Sequence, residues 1–124
     1  MATLNLDDNQ ANYQIRAYKP GTIQVNEKTF TSSLIITPDT LSPNWEPRTI
    51  HDLTAAHLAQ IISMKIDVLL IGTGATLVFL PAEMYGELIN HGIGVEIMDT
   101  SAACRTFNAL ASENRRVAAA LIIA

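Results

Sequence analysis

The stretch Ile66-Asp67-Val68-Leu69-Leu70-Ile71-Gly72-Thr73-Gly74 decides the fold prediction, because an apolar strand runs straight into a loop with two glycines. A strand that is apolar on both faces is typical of a sheet covered on both sides. In α/β proteins the loop after such a strand borders the crevice where ligands bind, and glycine lets backbone amides approach a ligand closely. The stretch therefore predicts an α/β fold with a candidate pocket at this loop.

The loop does not match a dinucleotide-binding motif. That motif requires a third glycine at the position held here by Leu77, and its loop opens directly into a helix. In this chain the apolar, β-leaning residues 75–80 come next, and Pro81 starts a helix only afterwards. The sequence thus indicates a fold and a pocket, but it does not name a reaction.

Composition predicts one domain over residues 1–124. Of the 124 residues, 48% are hydrophobic and 16% are charged, a balance that favours a compact protein over a disordered chain. The formal net charge of −4 argues against a nucleic-acid partner, since binding to its backbone needs clustered Lys and Arg. We therefore expect no nucleic-acid binding.

Cysteine usage and the N-terminal residues predict a cytoplasmic location. The single cysteine, Cys104, excludes an internal disulfide and fits a reducing compartment. The first residues include Asp7 and Asp8 without an arginine, unlike a signal or transit peptide, and the chain is expected to be complete as written. No apolar run approaches the roughly 20 residues that cross a bilayer, so no membrane insertion is expected.

Residue patterns predict strands in the first half and alternating helices and strands in the second. The predicted strands are 13–18, 22–25, 28–31, 33–37, 66–71, 93–98 and 117–123, and the predicted helices begin at Asp52 or Thr54, at Pro81, and at Asp99 or Thr100. The first helix is expected to end near Met64, and Gly92 is expected to cap the end of the second. Two strand-helix-strand units in succession imply a largely parallel central sheet with helices on its faces. The N-terminal β-hairpin region, with a two-residue hairpin turn at Asn26-Glu27, is expected at an edge or as an extra layer.

The parallel arrangement predicts a site, because the carboxyl ends of parallel strands lie on the same edge of a sheet. This places Gly72-Thr73-Gly74 beside Asp99-Thr100, with Arg105 and Asn108 on one face of the following helix. These residues form the candidate ligand pocket. Each also has a structural alternative: the glycines as a turn, Asp99 as a helix cap, and Asn108 as a partner for buried backbone.

The sequence contains no complete set of catalytic residues, and we predict no catalytic residue, no metal and no cofactor. Cys104 lies near a helix N-terminus that could lower its thiol pKa, yet no histidine is near it in sequence, and a helical cysteine is more often a small core residue. His51, His57 and His91 show no i, i+4 pairing of the kind that holds zinc.

Several motifs together resemble domain-of-unknown-function family 498, which includes a mitochondrial complex I assembly factor and an adipogenesis-associated domain protein. The motifs are Gly72-Thr73-Gly74, Gly92-Ile93-Gly94-Val95-Glu96, Met98-Asp99-Thr100, Ala103, Arg105-Thr106-Phe107-Asn108, Arg116 and Ala119-Ala120-Leu121-Ile122, with Gly21, Phe30, Ser33 and Trp45 earlier in the chain. The resemblance implies a compact three-layer α/β domain and action through protein contacts, and it implies no established enzymatic activity.

Two hypotheses follow for the function. In the first, the protein is a non-catalytic interaction or assembly factor whose contact patch contains the exposed aromatics Trp45 and Tyr85, with Arg105 and Arg115 as rim cations. In the second, the pocket at the glycine loop binds a small polar or anionic metabolite, with or without chemistry. We favour the first, although Trp45 has the alternative role of a lid over the core.

Overall fold

The structure, a computed structural model, describes residues 11–124, so most of the N-terminal stretch in which we predicted no targeting peptide lies outside the described residues. The elements, in chain order, are β1 (Ile15–Lys19), β2 (Thr22–Val25), β3 (Lys28–Phe30), β4 (Leu34–Ile36), β5 (Leu41–Ser42), a 3-10 helix (Ile50–Asp52), α1 (Ala55–Ala59), a second 3-10 helix (Gln60–Met64), β6 (Val68–Gly72), α2 (Ala82–Asn90), β7 (Gly94–Met98), α3 (Thr100–Ser112) and β8 (Val117–Leu121).

The first three strands form a separate antiparallel sheet, which we call the hairpin sheet. Val25 pairs with Lys28 across a two-residue turn, so the predicted hairpin at Asn26-Glu27 is confirmed. Asn26 has a φ of 52°, a left-handed conformation that asparagine tolerates better than most residues. Its side-chain oxygen also accepts a hydrogen bond from the backbone N–H of Gln14, which holds the turn against the start of β1.

The other five strands form the main sheet, in the order β5-β4-β8-β6-β7. β6 is parallel to both β7 and β8, as the two strand-helix-strand units predicted. β4, however, is antiparallel to β8, and β5 is antiparallel to β4. The prediction of a largely parallel sheet is therefore wrong: the main sheet is mixed, because a strand from the N-terminal half pairs with the last strand of the chain.

The main sheet is covered on both faces because its central strands alternate between two apolar clusters. Val68 and Leu70 of β6 pack with Phe107 of α3 and with the hairpin sheet. Leu69 and Ile71 pack on the opposite face, with residues from α1 and α2. All of β6 and β8 is buried, which explains why both strands are continuously apolar in the sequence.

The helix boundaries have local causes. Thr54 caps α1: its hydroxyl accepts from the backbone N–H of His57, whose ring Nδ1 accepts from the backbone N–H of Thr54 at 3.0 Å. The helix predicted to run to Met64 tightens to a 3-10 helix at Gln60 and ends at Lys65, which has a φ of 56°. Gly92, with a φ of 82°, follows the end of α2 where the sequence predicted a cap.

Asn108 joins the hairpin sheet to α3. Its side-chain oxygen accepts from the backbone N–H of Ile15 at 3.0 Å, and its amide nitrogen donates to the Ile15 carbonyl at 2.7 Å. The predicted alternative for Asn108, pairing with buried backbone, is thus what the geometry shows. A side-chain amide is suited to this task because it offers a donor and an acceptor on one plane.

We expect Asn108→Ala to lower the free energy of unfolding by about 2 kcal/mol or more, since two backbone groups of Ile15 would lose their partners. Ser112→Ala on the same helix is the matched control, because among the described residues that exposed hydroxyl bonds only to the Ala109 carbonyl. Its change should stay within about 0.5 kcal/mol. Urea denaturation measures both. Equal effects would contradict a specific role for Asn108.

Candidate functional site

The glycine loop and the start of α3 meet at the carboxyl end of β6 and β7, as predicted. The backbone N–H of Thr73 donates to the Met98 carbonyl, and the N–H of Thr100 donates to the Gly74 carbonyl, both at 2.9 Å. These bonds continue the β6–β7 pairing beyond the last residues of the two strands. We call this junction of residues 72–74 with 99–100 the rim.

Thr100 is the centre of the rim. Its side chain is fully buried, and its hydroxyl donates to the Ile122 carbonyl at 2.6 Å while accepting from the Gly74 N–H at 2.8 Å. One hydroxyl therefore connects the loop after β6, the start of α3 and the chain just after β8. The Gly74 amide, which could otherwise bind an anionic group, is used within the protein.

The other loop residues have internal roles as well. The Thr73 hydroxyl donates to the Thr76 carbonyl at 2.7 Å and accepts from the Val78 N–H at 3.1 Å. A Cβ on Gly72 would lie 2.8 Å from the Thr100 hydroxyl oxygen, so close approach of Thr100 requires a glycine there. Gly74 has a φ of 109°, a left-handed turn conformation. Ligand binding by this loop remains a prediction.

Asp99, Arg105 and Asn108 do not extend the rim into one polar surface. Asp99 is the N-cap of α3, and its carboxylate accepts from the Ala102 N–H at 2.9 Å. Arg105 is exposed and donates to the Ser101 hydroxyl one turn earlier on the same helix. Asn108 contacts Ile15, as described above. The structure thus brings together Gly72 to Gly74 with Asp99 and Thr100, and it directs Arg105 and Asn108 to other partners.

Electrostatics near the rim do not activate Cys104. Burial raises the pKa of this thiol to about 12; Asp99 contributes in the same direction, and nearby Arg105 lowers the pKa only in part. Burial also raises the pKa of Tyr18, whose hydroxyl donates to the Ile123 carbonyl. These electrostatics favour the core-residue alternative for Cys104, because loss of solvation outweighs the helix N-terminus.

Asp67 and Arg116 form a surface ion pair at the end of the main sheet opposite the rim. The guanidinium of Arg116 donates two hydrogen bonds to the Asp67 carboxylate, at 2.8 and 3.1 Å, and these bonds lower the pKa of Asp67 and raise that of Arg116. The pair connects the residue before β6 to the residue before β8. Both side chains are largely solvent-exposed, so this is a local link between parallel strands.

The predicted interaction residues are dispersed. Trp45 is only 9% exposed, so the predicted exposure is wrong: its ring packs in the cluster beneath α1, edge-on to His57 at 6.3 Å between ring centroids. This burial fits the alternative of a lid over the core. Tyr85 is half-buried on α2, and Arg115 is exposed just before β8, at the opposite end of the main sheet from the rim. The interaction role of these residues remains a prediction.

The sequence missed the exposed apolar residues Leu77 and Phe79, which are 45% and 84% exposed on the segment between the rim and α2. Their neighbours Val78 and Leu80 pack against the core, so the segment has one inward and one outward side. The run Leu77-Val78-Phe79-Leu80 is apolar throughout, and therefore no alternation of polar and apolar residues marked the outward positions.

Other features of the described residues bear on metal and membrane sites. Among residues 11–124, the structure brings no three His, Cys, Asp or Glu side chains close enough to hold a metal ion together. Within the same range, no helix has the length and apolar character needed to span a bilayer.

Alanine substitutions at the rim glycines should be destabilising. For Gly72→Ala we expect a loss of about 1–3 kcal/mol, because the new Cβ would overlap Thr100 and Leu121. Gly74→Ala should cost about 1 kcal/mol or more through its positive φ. Gly86→Ala is the control: Gly86 lies within α2 with open space around it, and alanine should stabilise the helix by about 0.5–1 kcal/mol. Thermal unfolding measures each variant, and equal midpoints for Gly72→Ala and Gly86→Ala would refute the close-contact explanation.

The Cys104 thiol should react slowly with disulfide reagents in the folded protein. With a pKa of about 12 and 6% exposure, its reaction with a disulfide reagent at pH 8 should be about a thousandfold slower than that of the unfolded chain. Stopped-flow absorbance with and without denaturant measures both rates. Fast reaction of the folded protein would show that the thiol is ionised or reachable by another route.

Comparison with known proteins places these features in a family. A Danio rerio protein named NADH dehydrogenase (ubiquinone) 1 alpha subcomplex assembly factor 3 is 37% identical over 110 residues, covering 87% of this chain and 63% of that protein. The chain thus spans less than two thirds of that relative's length. A 13 kDa major membrane protein from Francisella tularensis is 28% identical over 123 residues, covering 98% of this chain and 100% of that protein.

Solved structures agree with the fold. The crystal structure of a Bordetella parapertussis protein matches with a TM-score of 0.85 at 37% identity, covering 92% of this chain and 98% of that one. The model of the family described as "Protein of unknown function (DUF498/DUF598)" matches residues 15–122. This chain therefore belongs to that family, as its sequence motifs predicted.

Proposed function

We propose that the protein is a non-catalytic interaction factor that helps to assemble a protein complex. Support comes from the Danio rerio relative, whose name states an assembly role for that protein. The polar groups of the rim also support the proposal, since the Thr73 and Thr100 hydroxyls and the Asp99 carboxylate all have partners within the protein. The protein partner would be a subunit or a second factor in the assembly, and we propose that it is met in the cytoplasm.

Phe79 is the observation that carries the proposal. A phenyl ring that is 84% exposed gains little from folding, and we propose that a protein partner covers it together with the exposed Leu77. Aromatic side chains of this kind act as anchors in protein interfaces because they bury a large apolar area. Leu77 lies on the same outward side of the segment and would widen the apolar centre of the contact.

The residues that the sequence predicted for the interaction patch lie on different parts of the fold, and this proposal retains one of them. α3 packs on the face of the main sheet that also carries the hairpin sheet, whereas α2 packs on the other face. Arg105 on α3 and Tyr85 on α2 therefore lie on different faces, and Arg115 lies at the far end of the sheet. We propose that Tyr85, close in sequence to Phe79 and half-buried on α2, joins the contact, whereas Arg105 and Arg115 do not.

Substitution of Phe79 tests the proposal. We expect Phe79→Ala to reduce recovery of the partner by tenfold or more when tagged protein is captured from the native host, because truncating an interface anchor costs about 2 kcal/mol or more. Arg115→Ala is the control, since it truncates an exposed side chain at the far end of the main sheet, outside the proposed contact. Quantitative mass spectrometry compares the captured proteins, and circular dichroism confirms that each variant folds.

The outcome is decisive in either direction. Loss of the same proteins in Phe79→Ala but not in Arg115→Ala would support the contact. If both variants retain every protein that the wild type captures, the interaction surface is elsewhere and the proposal for Phe79 fails.

A further inference from the structure

Trp45 and Ser33 carry buried polar atoms that lack a partner. Trp45 Nε1 and Ser33 Oγ have no accessible surface and make no hydrogen bond to any of the residues that the structure describes. The two residues are adjacent, since the backbone N–H of Trp45 donates to the Ser33 carbonyl at 2.7 Å. An unmade hydrogen bond of a buried group costs about 1–3 kcal/mol, so two at one place call for an explanation.

Both residues line the same cavity, which has a volume of about 580 Å³ and which we call the Trp45 cavity. Its walls come from the turn at Gly21, the residues around Ser33, the segment 44–48 and the chain after β8. A cavity of this size has room for a small organic molecule. It is distinct from the rim, because none of the rim residues lines it.

The groups at the Trp45 cavity select the chemistry of an occupant. An indole N–H can only donate, and a serine hydroxyl donates readily, so both need an oxygen acceptor. Arg48 also lines the cavity and is exposed; its backbone N–H bonds to Asp52, but its guanidinium has no partner among residues 11–124. A free guanidinium prefers a planar carboxylate or a phosphate, to which it donates two hydrogen bonds.

The acidic side chain at the same wall has its own partner. Glu46 lines the Trp45 cavity, but its carboxylate accepts a hydrogen bond from Nε2 of His57 at 2.6 Å. This contact leaves Arg48 as the unpaired charged side chain at the cavity among the described residues.

We propose that the Trp45 cavity binds a small molecule carrying an oxyanion, either a carboxylate or a phosphate. Trp45 Nε1 and Ser33 Oγ donate to its oxygens, and the Arg48 guanidinium holds its charge. Binding requires a small local movement, because the two donor atoms are buried from solvent. Trp45 is on an irregular segment between β5 and the first 3-10 helix, next to Asn44 with a φ of 62°, so the movement can stay within that segment.

The single tryptophan of the chain makes the test direct, because its indole N–H gives one resonance in a nitrogen-proton correlation spectrum. Inorganic phosphate and acetate are titrated in parallel, each against sodium chloride of equal ionic strength. We expect a saturable downfield shift of the indole proton with at least one of the two oxyanions and none with chloride. Which of them produces the shift identifies the class of oxyanion.

Three variants locate the site. Arg48→Gln and Ser33→Ala should each weaken the saturable response, Arg48→Gln by about tenfold. Arg115→Gln is the matched control, since it removes an exposed cation that does not line the Trp45 cavity, and it should leave the affinity unchanged. Backbone resonances report that each variant is folded.

Either of two results would overturn the proposal. One is an indole resonance that does not respond to phosphate or acetate. A cross-peak from that resonance to a bound water would then identify the water as the missing hydrogen-bond partner. The other is an equal loss of response in Arg48→Gln and Arg115→Gln, which would show general charge attraction. Neither result bears on the assembly proposal, which rests on Phe79.

Discussion

The hydroxyl of Thr100 is the contact on which the rest of the structure depends. It is buried at the carboxyl ends of the parallel strands of the main sheet, and it joins the Gly74 amide to the Ile122 carbonyl. The loop after β6, the start of α3 and the chain after β8 are thereby held at one point. Because Gly72 has no side chain, Thr100 can approach the end of β6 closely enough for this contact. The motif that resembles a ligand loop in the sequence thus has an internal structural role.

Because the rim groups bond within the protein, other surfaces are the better candidates for binding a partner or a ligand. A protein whose rim hydroxyls, loop amide and cap carboxylate all bond within the chain has few groups there to offer a substrate. The outward residues Leu77 and Phe79, on the segment that leaves the rim, expose apolar area. The Trp45 cavity is lined by Trp45 and Ser33, each of which has a buried polar atom without a partner among residues 11–124. The proposed protein contact and the proposed oxyanion site therefore lie on separate parts of one fold.

Particular elements show where sequence reasoning succeeded and where it did not. The hairpin at Asn26, the parallel pairing of β6 with β7 and the cap at Asp99 depend on neighbouring residues or on chain order, and each was predicted. The partner of β4 was not. Three apolar residues mark a strand, but any strand with an open edge could pair with them. Their antiparallel pairing with β8 depends on the whole sheet being assembled.

The sequence alone determined most of the strands and helices and several caps and turns, because these follow from hydrophobic period and local hydrogen bonding. It did not predict β5 or the two 3-10 helices. It also determined that Gly72 to Gly74 and Asp99 to Thr100 meet, since parallel strands align their carboxyl ends. Tertiary structure alone decided which polar groups are used and which apolar groups are exposed. Trp45 became buried and Phe79 exposed because burial depends on which other elements pack over a residue, and neighbours in the sequence do not encode that.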